Sequence, residues 1–169
     1  MITFIGMDNG TSSNGIGVVT SEREAELYKL PTKKELSYTK EVKNITRIDF
    51  NGLCELFEKI REDHPAGPIF VGLERPMVNS TRFNASLSAI RCLEATLIAL
   101  EETGLSYEYI DSKEWQKELL PKGIKGSDLL KQASLDVGKR LFPQLDIKKD
   151  ADSLLIAEYM RRRQANQLT

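Results

Sequence analysis

The chain opens with the stretch that decides its fold, residues 1–19, MITFIGMDNGTSSNGIGVV. An apolar run rich in strand-forming residues ends at Asp8, a polar turn with glycines follows, and a second apolar run begins at Ile16. Two such runs joined by a short turn predict a pair of antiparallel strands. The first strand therefore brings a carboxylate to its tip, and the function of that acid becomes the central question.

The rest of the pattern predicts a mixed five-stranded sheet. A third strand within residues 25–31 follows a short charged turn, so the first three strands are expected to form an antiparallel meander. The apolar run at 68–74 and the alternating run at 105–110 each follow a helical pattern, and they are expected to add two parallel strands. The chain is therefore predicted to be one α/β domain that spans residues 1–169.

Helices are predicted around this sheet wherever apolar residues recur with helical spacing. The predicted helices cover residues 49–63, 84–104, 111–121, 127–143 and 150–164. Residues 33–44 are polar and have no clear period, which predicts a loop or an edge extension. His64 follows the first helix in a turn and is expected to lie on the surface.

The composition is that of an ordinary globular protein, with 40% hydrophobic and 29% charged residues in 169. No apolar stretch reaches the roughly 20 residues of a membrane span, and no secretory signal is evident, so a cytoplasmic protein with no membrane partner is predicted. The formal net charge of −1 argues mildly against a nucleic-acid-binding protein. Residues 113–140 are nevertheless net positive.

Acidic residues stand at the ends of several predicted elements. Asp8 ends the first strand and Glu74 ends the buried strand at 68–74, while Asp150 and Asp152 begin the last helix. Singly, an acid before a turn or at a helix N-terminus is common. Together, these acids would repel one another unless divalent cations held them. Two hard cations bound by carboxylates are the arrangement that promotes phosphodiester hydrolysis.

The order and spacing of several motifs resemble those of the RuvC-type Holliday junction resolvases, and most closely the short bacteriophage members. The motifs are FIGMDNGTSSNGIGVV, VGLERP, the long helix that follows, KQASLDVGKRLFP and DADSLLIAEY. The resemblance implies an RNase H-like fold, a homodimer and paired symmetric nicking of branched DNA. It also implies Mg²⁺ or Mn²⁺, two ions per site, as the cofactor, and no organic cofactor.

The resemblance also implies roles for individual residues. Asp8, Glu74 and Asp152 match the metal-binding acids of the family, and Lys131 matches a lysine that contacts phosphate near the cut. The loop after Glu74 matches the segment from which the family inserts an apolar side chain into the junction. The DNA-contacting residues expected on this basis are Met77, Arg82, Phe83, Lys113, Lys117, Lys125 and Lys131. Phe83 could equally pack as a staple of the long helix, and Trp115 is expected to pack in the core.

One position departs from the family pattern. The family usually has an acid or a histidine three residues before its last aspartate, where this chain has Lys149. Asp150 lies two residues before Asp152, and residues at that spacing do not share a helix face. Asp150 can therefore complete the catalytic, metal-binding set only if it precedes the first helical turn.

Other functions remain open from the sequence. An RNase H-like nuclease could act on RNA–DNA hybrids, flaps or forks, and a catalytically degraded protein could only bind junctions. The Asp-x-Gly-Thr turn that begins at Asp8 also resembles a phosphate-binding turn of the actin-like ATPase and sugar-kinase fold. That fold needs two lobes, and this chain has room for one.

Overall fold

The computed structural model describes residues 1–8, 10–11 and 15–167. The strands are β1 (Thr3–Met7), β2 (Ile16–Thr20), β3 (Ala25–Tyr28), β4 (Thr32–Leu36), β5 (Asn44–Ile48), β6 (Ile69–Glu74) and β7 (Ser106–Ile110). The helices are α1 (Phe50–Asp63), α2 (Phe83–Thr103), α3 (Ser112–Leu119), α4 (Ser127–Leu141) and α5 (Asp152–Gln167), and a 3-10 turn at Ser80–Arg82 leads into α2. Much of the turn between β1 and β2, on which the phosphate-binding alternative depends, lies outside the described residues.

The main sheet has five strands in the order β3-β2-β1-β6-β7. β2 pairs antiparallel with both β1 and β3, whereas β6 pairs parallel with β1 and with β7. The predicted sheet, an antiparallel meander with two added parallel strands and flanking helices, is therefore confirmed.

The two faces of this sheet pack against different helices. Ile5 and Met7 of β1 belong to a buried cluster with α1 and α2, and Phe4 belongs to a second cluster with α3, α4 and α5. This division follows from the two-residue period of a strand, which sends alternate side chains to opposite faces. The sheet is thus the middle layer between two layers of helices.

Helix α5 lies directly on a row of glycines. Gly6 pairs with Gly17 of β2 and with Gly72 of β6, so three neighbouring strands each have a glycine at the same level. A Cβ atom on Gly6 would lie 1.9 Å from the Ser153 carbonyl oxygen, and one on Gly17 would lie 2.4 Å from the Leu154 nitrogen. The missing side chains therefore allow the first turn of α5 to touch the sheet backbone.

Residues 33–36 and 44 lie in strands that form neither the predicted loop nor an extension of the main sheet's edge. β4 and β5 form a separate two-stranded antiparallel sheet that is not hydrogen-bonded to the main one. Half of the residues in its two strands are exposed, and Arg47 pairs with Glu35 across the strands. Ile48 is the one buried residue of the two strands, so they lack the apolar alternation that would have revealed them.

His64 is buried, and the prediction that it lies on the surface is wrong. It caps the C-terminal end of α1, where its backbone N–H donates to the Ile60 carbonyl oxygen over 3.0 Å. Its Nε2 atom lies 3.4 Å from a carboxylate oxygen of Glu26, on β3. The strand that covers the histidine is almost forty residues away in sequence, so the local pattern could not indicate its burial.

Residues Ser80–Thr103 form one helical stretch that is long and apolar enough to cross a membrane. The expectation that no apolar stretch is long enough for a membrane span is therefore wrong, as far as length and composition are concerned. A single such helix is weak evidence for a span, because core helices of soluble proteins pass the same test.

Candidate active site

Asp8 and Glu74 leave the sheet side by side. The last residue pair between the parallel strands β1 and β6 joins Met7 to Leu73, and each acid comes next in its chain. Strand alternation places Asp8 on the face of Gly6, and Glu74 on the face of Gly72. Both acids therefore emerge at one edge of the sheet, on the face covered by α5.

The start of α5 brings two more acids to this edge. The helix begins at Asp152, so Asp150 lies ahead of the first helical turn, which is the condition that the sequence set for it. Among the described residues, Asp8, Asp150 and Asp152 each offer a carboxylate oxygen, and these oxygens lie within 4.8 Å of one another. Lys149 is exposed and is not part of this cluster.

Glu74 stands beside this cluster and is held by Trp115 of α3. The indole Nε1–H of Trp115 donates a hydrogen bond of 2.9 Å to Glu74 Oε1. Burial raises the pKa of Glu74 from 4.5 to about 7; the Trp115 hydrogen bond opposes this rise, and the charges of Asp152 and Asp150 add to it. Without a cation, the protonated form of this carboxyl group is therefore favoured more than in a solvent-exposed glutamate.

Asp152 is held in a similar way by Ser134 of α4. The Ser134 hydroxyl donates to Asp152 Oδ1 and accepts the backbone N–H of Ala151 over 3.1 Å. Burial raises the pKa of Asp152 from 3.8 to about 6; the Ser134 hydrogen bond and the charge of Lys131 lower it, and the charge of Asp150 raises it. Ionisation of both Glu74 and Asp152 is therefore unfavourable unless a positive charge lies close to them.

The donor set fits a hard divalent cation. All three clustered ligand atoms are carboxylate oxygens, which Mg²⁺, Mn²⁺ and Ca²⁺ prefer. Their spacing allows one ion to contact several of them.

A cleft of about 350 Å³ opens onto two of the four acids. Glu74 and Asp152 line it together with Lys131 and with Met77, whose side chain is 79% exposed. Lys131 thus lies beside the acids, where a phosphate group in the cleft would be within its reach. Met77 lies on the loop after Glu74, at the rim of the same cleft.

A second cleft of about 340 Å³ continues the first one along α3. It shares Gln116 and Leu130 with the first, and Lys113, Lys117 and Lys122 line it. These lysines extend the positive charge of Lys131 away from the acids, as a track for a phosphate backbone would.

The remaining predicted DNA-contacting residues lie outside both cleft linings. Arg82 and Phe83 are exposed at the start of α2, and Lys125 is exposed in the loop before α4. Phe83 is 68% exposed, so it does not pack as a staple of α2.

The contacts of two residues with the acids could not be predicted from the sequence. Trp115 is buried in the core, as predicted, but its indole N–H also reaches Glu74. Ser134 is buried on α4 and is not among the site residues predicted from the sequence. An indole or hydroxyl donor within an otherwise apolar helix face is the one signal that could have indicated a polar partner.

Comparisons with known proteins bear on the fold. No protein-family model matches the chain, and no curated protein matches it in sequence. RuvC from T. thermophilus in complex with a Holliday junction substrate matches in structure, with a TM-score of 0.60, 14% identity and coverage of 96% of this chain and 96% of that chain. The chain has the fold of RuvC.

A second RuvC structure from Thermus thermophilus gives the same result. Its TM-score is 0.61 at 14% identity, with 97% of this chain and 96% of that chain covered. The RuvC-type, RNase H-like fold that the sequence motifs implied is thereby confirmed.

Proposed function

We propose that the chain is one nuclease domain, residues 1–169, that resolves four-way DNA junctions by paired, symmetric, metal-dependent nicks. The observation that carries this proposal is the cluster of Asp8, Asp150 and Asp152, with Glu74 beside it, at one edge of a RuvC-type sheet. The RuvC structure of the same fold is in complex with a Holliday junction substrate, which supports branched DNA as the substrate class here.

The proposed roles follow from the positions of the side chains. Asp8, Asp150, Asp152 and Glu74 would bind two Mg²⁺ or Mn²⁺ ions, with no organic cofactor. Cations bound there would activate a water molecule and stabilise the leaving oxygen. Lys131 would bind the phosphate beside the cut, and the lysines along α3 would bind the strand further away.

Several exposed residues would complete the contact with DNA. Met77 would reach unstacked bases from the rim of the cleft, with Phe83 as a second apolar contact. Arg82 and Lys125 would contact phosphates outside the cleft. The reaction would take place in the cytoplasm of a bacterial or phage-infected cell.

The chain would act as a homodimer, because paired nicks need two sites related by symmetry. Helix α2 offers a surface for this pairing, since only 22% of its most apolar window is buried. Ile90 and Ile98 are among its exposed apolar residues. The mass of the particle in solution, measured by light scattering, tests this part of the proposal, and a monomer at concentrations that give paired nicks would contradict it.

Cleavage of end-labelled synthetic substrates tests the activity. Four-way junctions, duplexes, forks and RNA–DNA hybrids would be incubated with Mg²⁺, Mn²⁺ or chelator. The proposal predicts symmetric, metal-dependent nicks in the junction. Asp146→Asn is a matched control for the site variants, because Asp146 is an exposed acid paired with Lys148 outside the cleft.

Other outcomes would change the assignment in defined ways. Cleavage of only hybrids or forks would keep the metal site and overturn the junction as substrate. Tight junction binding with no cleavage under any metal condition would overturn the enzymatic proposal in favour of a binding protein.

A further inference from the structure

Trp115 makes the contact on which this inference depends. Its side chain is 1% exposed, and a buried indole N–H can only donate, so it needs an acceptor. That acceptor is Glu74 Oε1, at 2.9 Å, which is a normal distance for a charge-assisted bond. An aliphatic residue could fill the same core volume without making this contact.

The donor is neutral, and this distinguishes Glu74 from a buried acid with a structural role. Glu158 of α5 is also buried, but Arg161 and Arg162 each lie 2.7 Å from its carboxylate oxygens and neutralise it. Trp115 holds Glu74 without supplying a positive charge. This contact therefore orients Glu74 without neutralising it.

Asp152 is held by the same kind of contact. The Ser134 hydroxyl, another neutral donor, binds one of its oxygens. Glu74 and Asp152 thus both line the cleft, and each accepts a hydrogen bond from a neutral donor on α3 or α4. Such partners orient metal ligands, and their loss commonly weakens metal affinity or activity by about 10- to 100-fold.

We propose that Trp115 is a positioning residue that fixes the Glu74 carboxylate for divalent cation binding through its indole N–H. The activity readout rests on the proposed function, whereas metal affinity and fluorescence do not. Trp115 is the single tryptophan of the chain, so its emission reports directly on this contact.

The first test uses Trp115→Phe, which keeps an aromatic ring and removes the N–H. Calorimetric titration with Mn²⁺ should show affinity weakened by about 10- to 100-fold. Junction cleavage should show a lower kcat with KM for the junction unchanged. Phe142→Leu is the matched control, because Phe142 is buried in the same cluster with no part in the acidic site. It should lose stability and keep the wild-type Mn²⁺ affinity.

The second test needs no change to Trp115. The emission of the metal-free protein should shift in Glu74→Gln and stay unchanged in Asp8→Asn. In the wild type, Mn²⁺ should change the emission with the Mn²⁺ affinity found by calorimetry. Wild-type Mn²⁺ affinity in Trp115→Phe, or emission insensitive to Glu74→Gln, would overturn the inference. Weak Mn²⁺ binding in Trp115→Phe without junction cleavage by the wild type would support the inference and overturn only the proposed function.

Discussion

The two faces of the central sheet differ in the size and polarity of their side chains. The face toward α1 and α2 carries large aliphatic side chains, such as Ile5, Val71 and Leu73, that are fully buried. The face toward α5 has glycines at the same level and acids one step beyond, Asp8 and Glu74. The face toward α1 and α2 is packed with large side chains. On the face toward α5, the glycines leave room for the start of that helix to approach the ends of the strands.

This difference separates stability from chemistry along a single strand. In β1, Ile5 packs toward α1 and α2, whereas Gly6 lets α5 contact the strand backbone. Asp8 follows directly after the end of this strand. Changes on the α1–α2 face should therefore cost stability and leave metal binding intact. Changes at the acids should do the reverse, because removing one of several like charges relieves repulsion.

The largest expected effect is the loss of cleavage in Asp8→Asn. Cleavage of a four-way junction should fall by on the order of 10³-fold or more, while junction binding and thermal stability are kept. Ile5→Ala should show the opposite behaviour, with a loss of about 2–5 kcal/mol of stability and normal cleavage at temperatures where it stays folded. Gel-based cleavage and denaturant unfolding measure the two effects, and equal cleavage by both variants would break the comparison.

The next effect concerns the glycine row. Gly6→Ala would place a Cβ 1.9 Å from the Ser153 carbonyl oxygen, so α5 must move, at a cost of about 3 kcal/mol or more. In Gly72→Ala the new Cβ meets the flexible Met160 side chain, which can move at a cost of about 1 kcal/mol. Urea unfolding of both variants checks this order. Equal losses would mean that α5 is not seated on the sheet backbone as described.

A smaller effect is a pH dependence that belongs to the acidic face alone. The pKa of Glu74 is about 7 in the folded protein and 4.5 for an ordinary glutamate. Folding is therefore coupled to uptake of a proton when the pH lies between these two values. The metal-free protein should therefore lose stability as pH rises from about 4.5 to 7, by roughly 2–3 kcal/mol more than Glu74→Gln does.

Asp152 acts in the same direction, because its pKa is raised from 3.8 to about 6. Saturating Mg²⁺ should remove most of this slope, since a bound cation favours the ionised acids. Unfolding curves across this pH range provide the measurement. A wild-type slope that matches Glu74→Gln would show that Glu74 is not buried among like charges.

The smallest effect is expected at Lys131, which lies beside the acids and is proposed to bind substrate instead of metal. Lys131→Gln should weaken junction binding by about tenfold and reduce the dependence of log affinity on log salt by about one unit. Lys139→Gln, on an exposed part of the same helix, is the matched control and should change neither. Fluorescence anisotropy over a salt series checks both variants.

Much of the fold could be predicted because burial imposes a period. The alternation in β7 and the helical spacing in α1 predicted these elements and their positions within one or two residues. Asp8 and Glu74 could be placed at one sheet edge because they end strands predicted to run parallel. Asp150 could be expected in the cluster only on condition that the helix began after it.

The parts that escaped prediction depend on contacts between distant segments. The strands β4 and β5 have one buried residue between them, Ile48, so no apolar alternation marks the pair. The bond from Trp115 to Glu74 spans 41 residues, and the bond from Ser134 to Asp152 spans 18. Sequence spacing cannot indicate such contacts, because they exist only after α3 and α4 have packed beside α5.

The measurement that tests the central claim most directly is anomalous X-ray diffraction from crystals soaked in Mn²⁺. The account predicts anomalous density within ligand distance of carboxylate oxygens of Asp8, Asp150 and Asp152, lost in crystals of Asp8→Asn. Density elsewhere on the protein, or none at these acids at Mn²⁺ concentrations that support junction cleavage, would contradict the claim that this edge of the sheet is the metal centre.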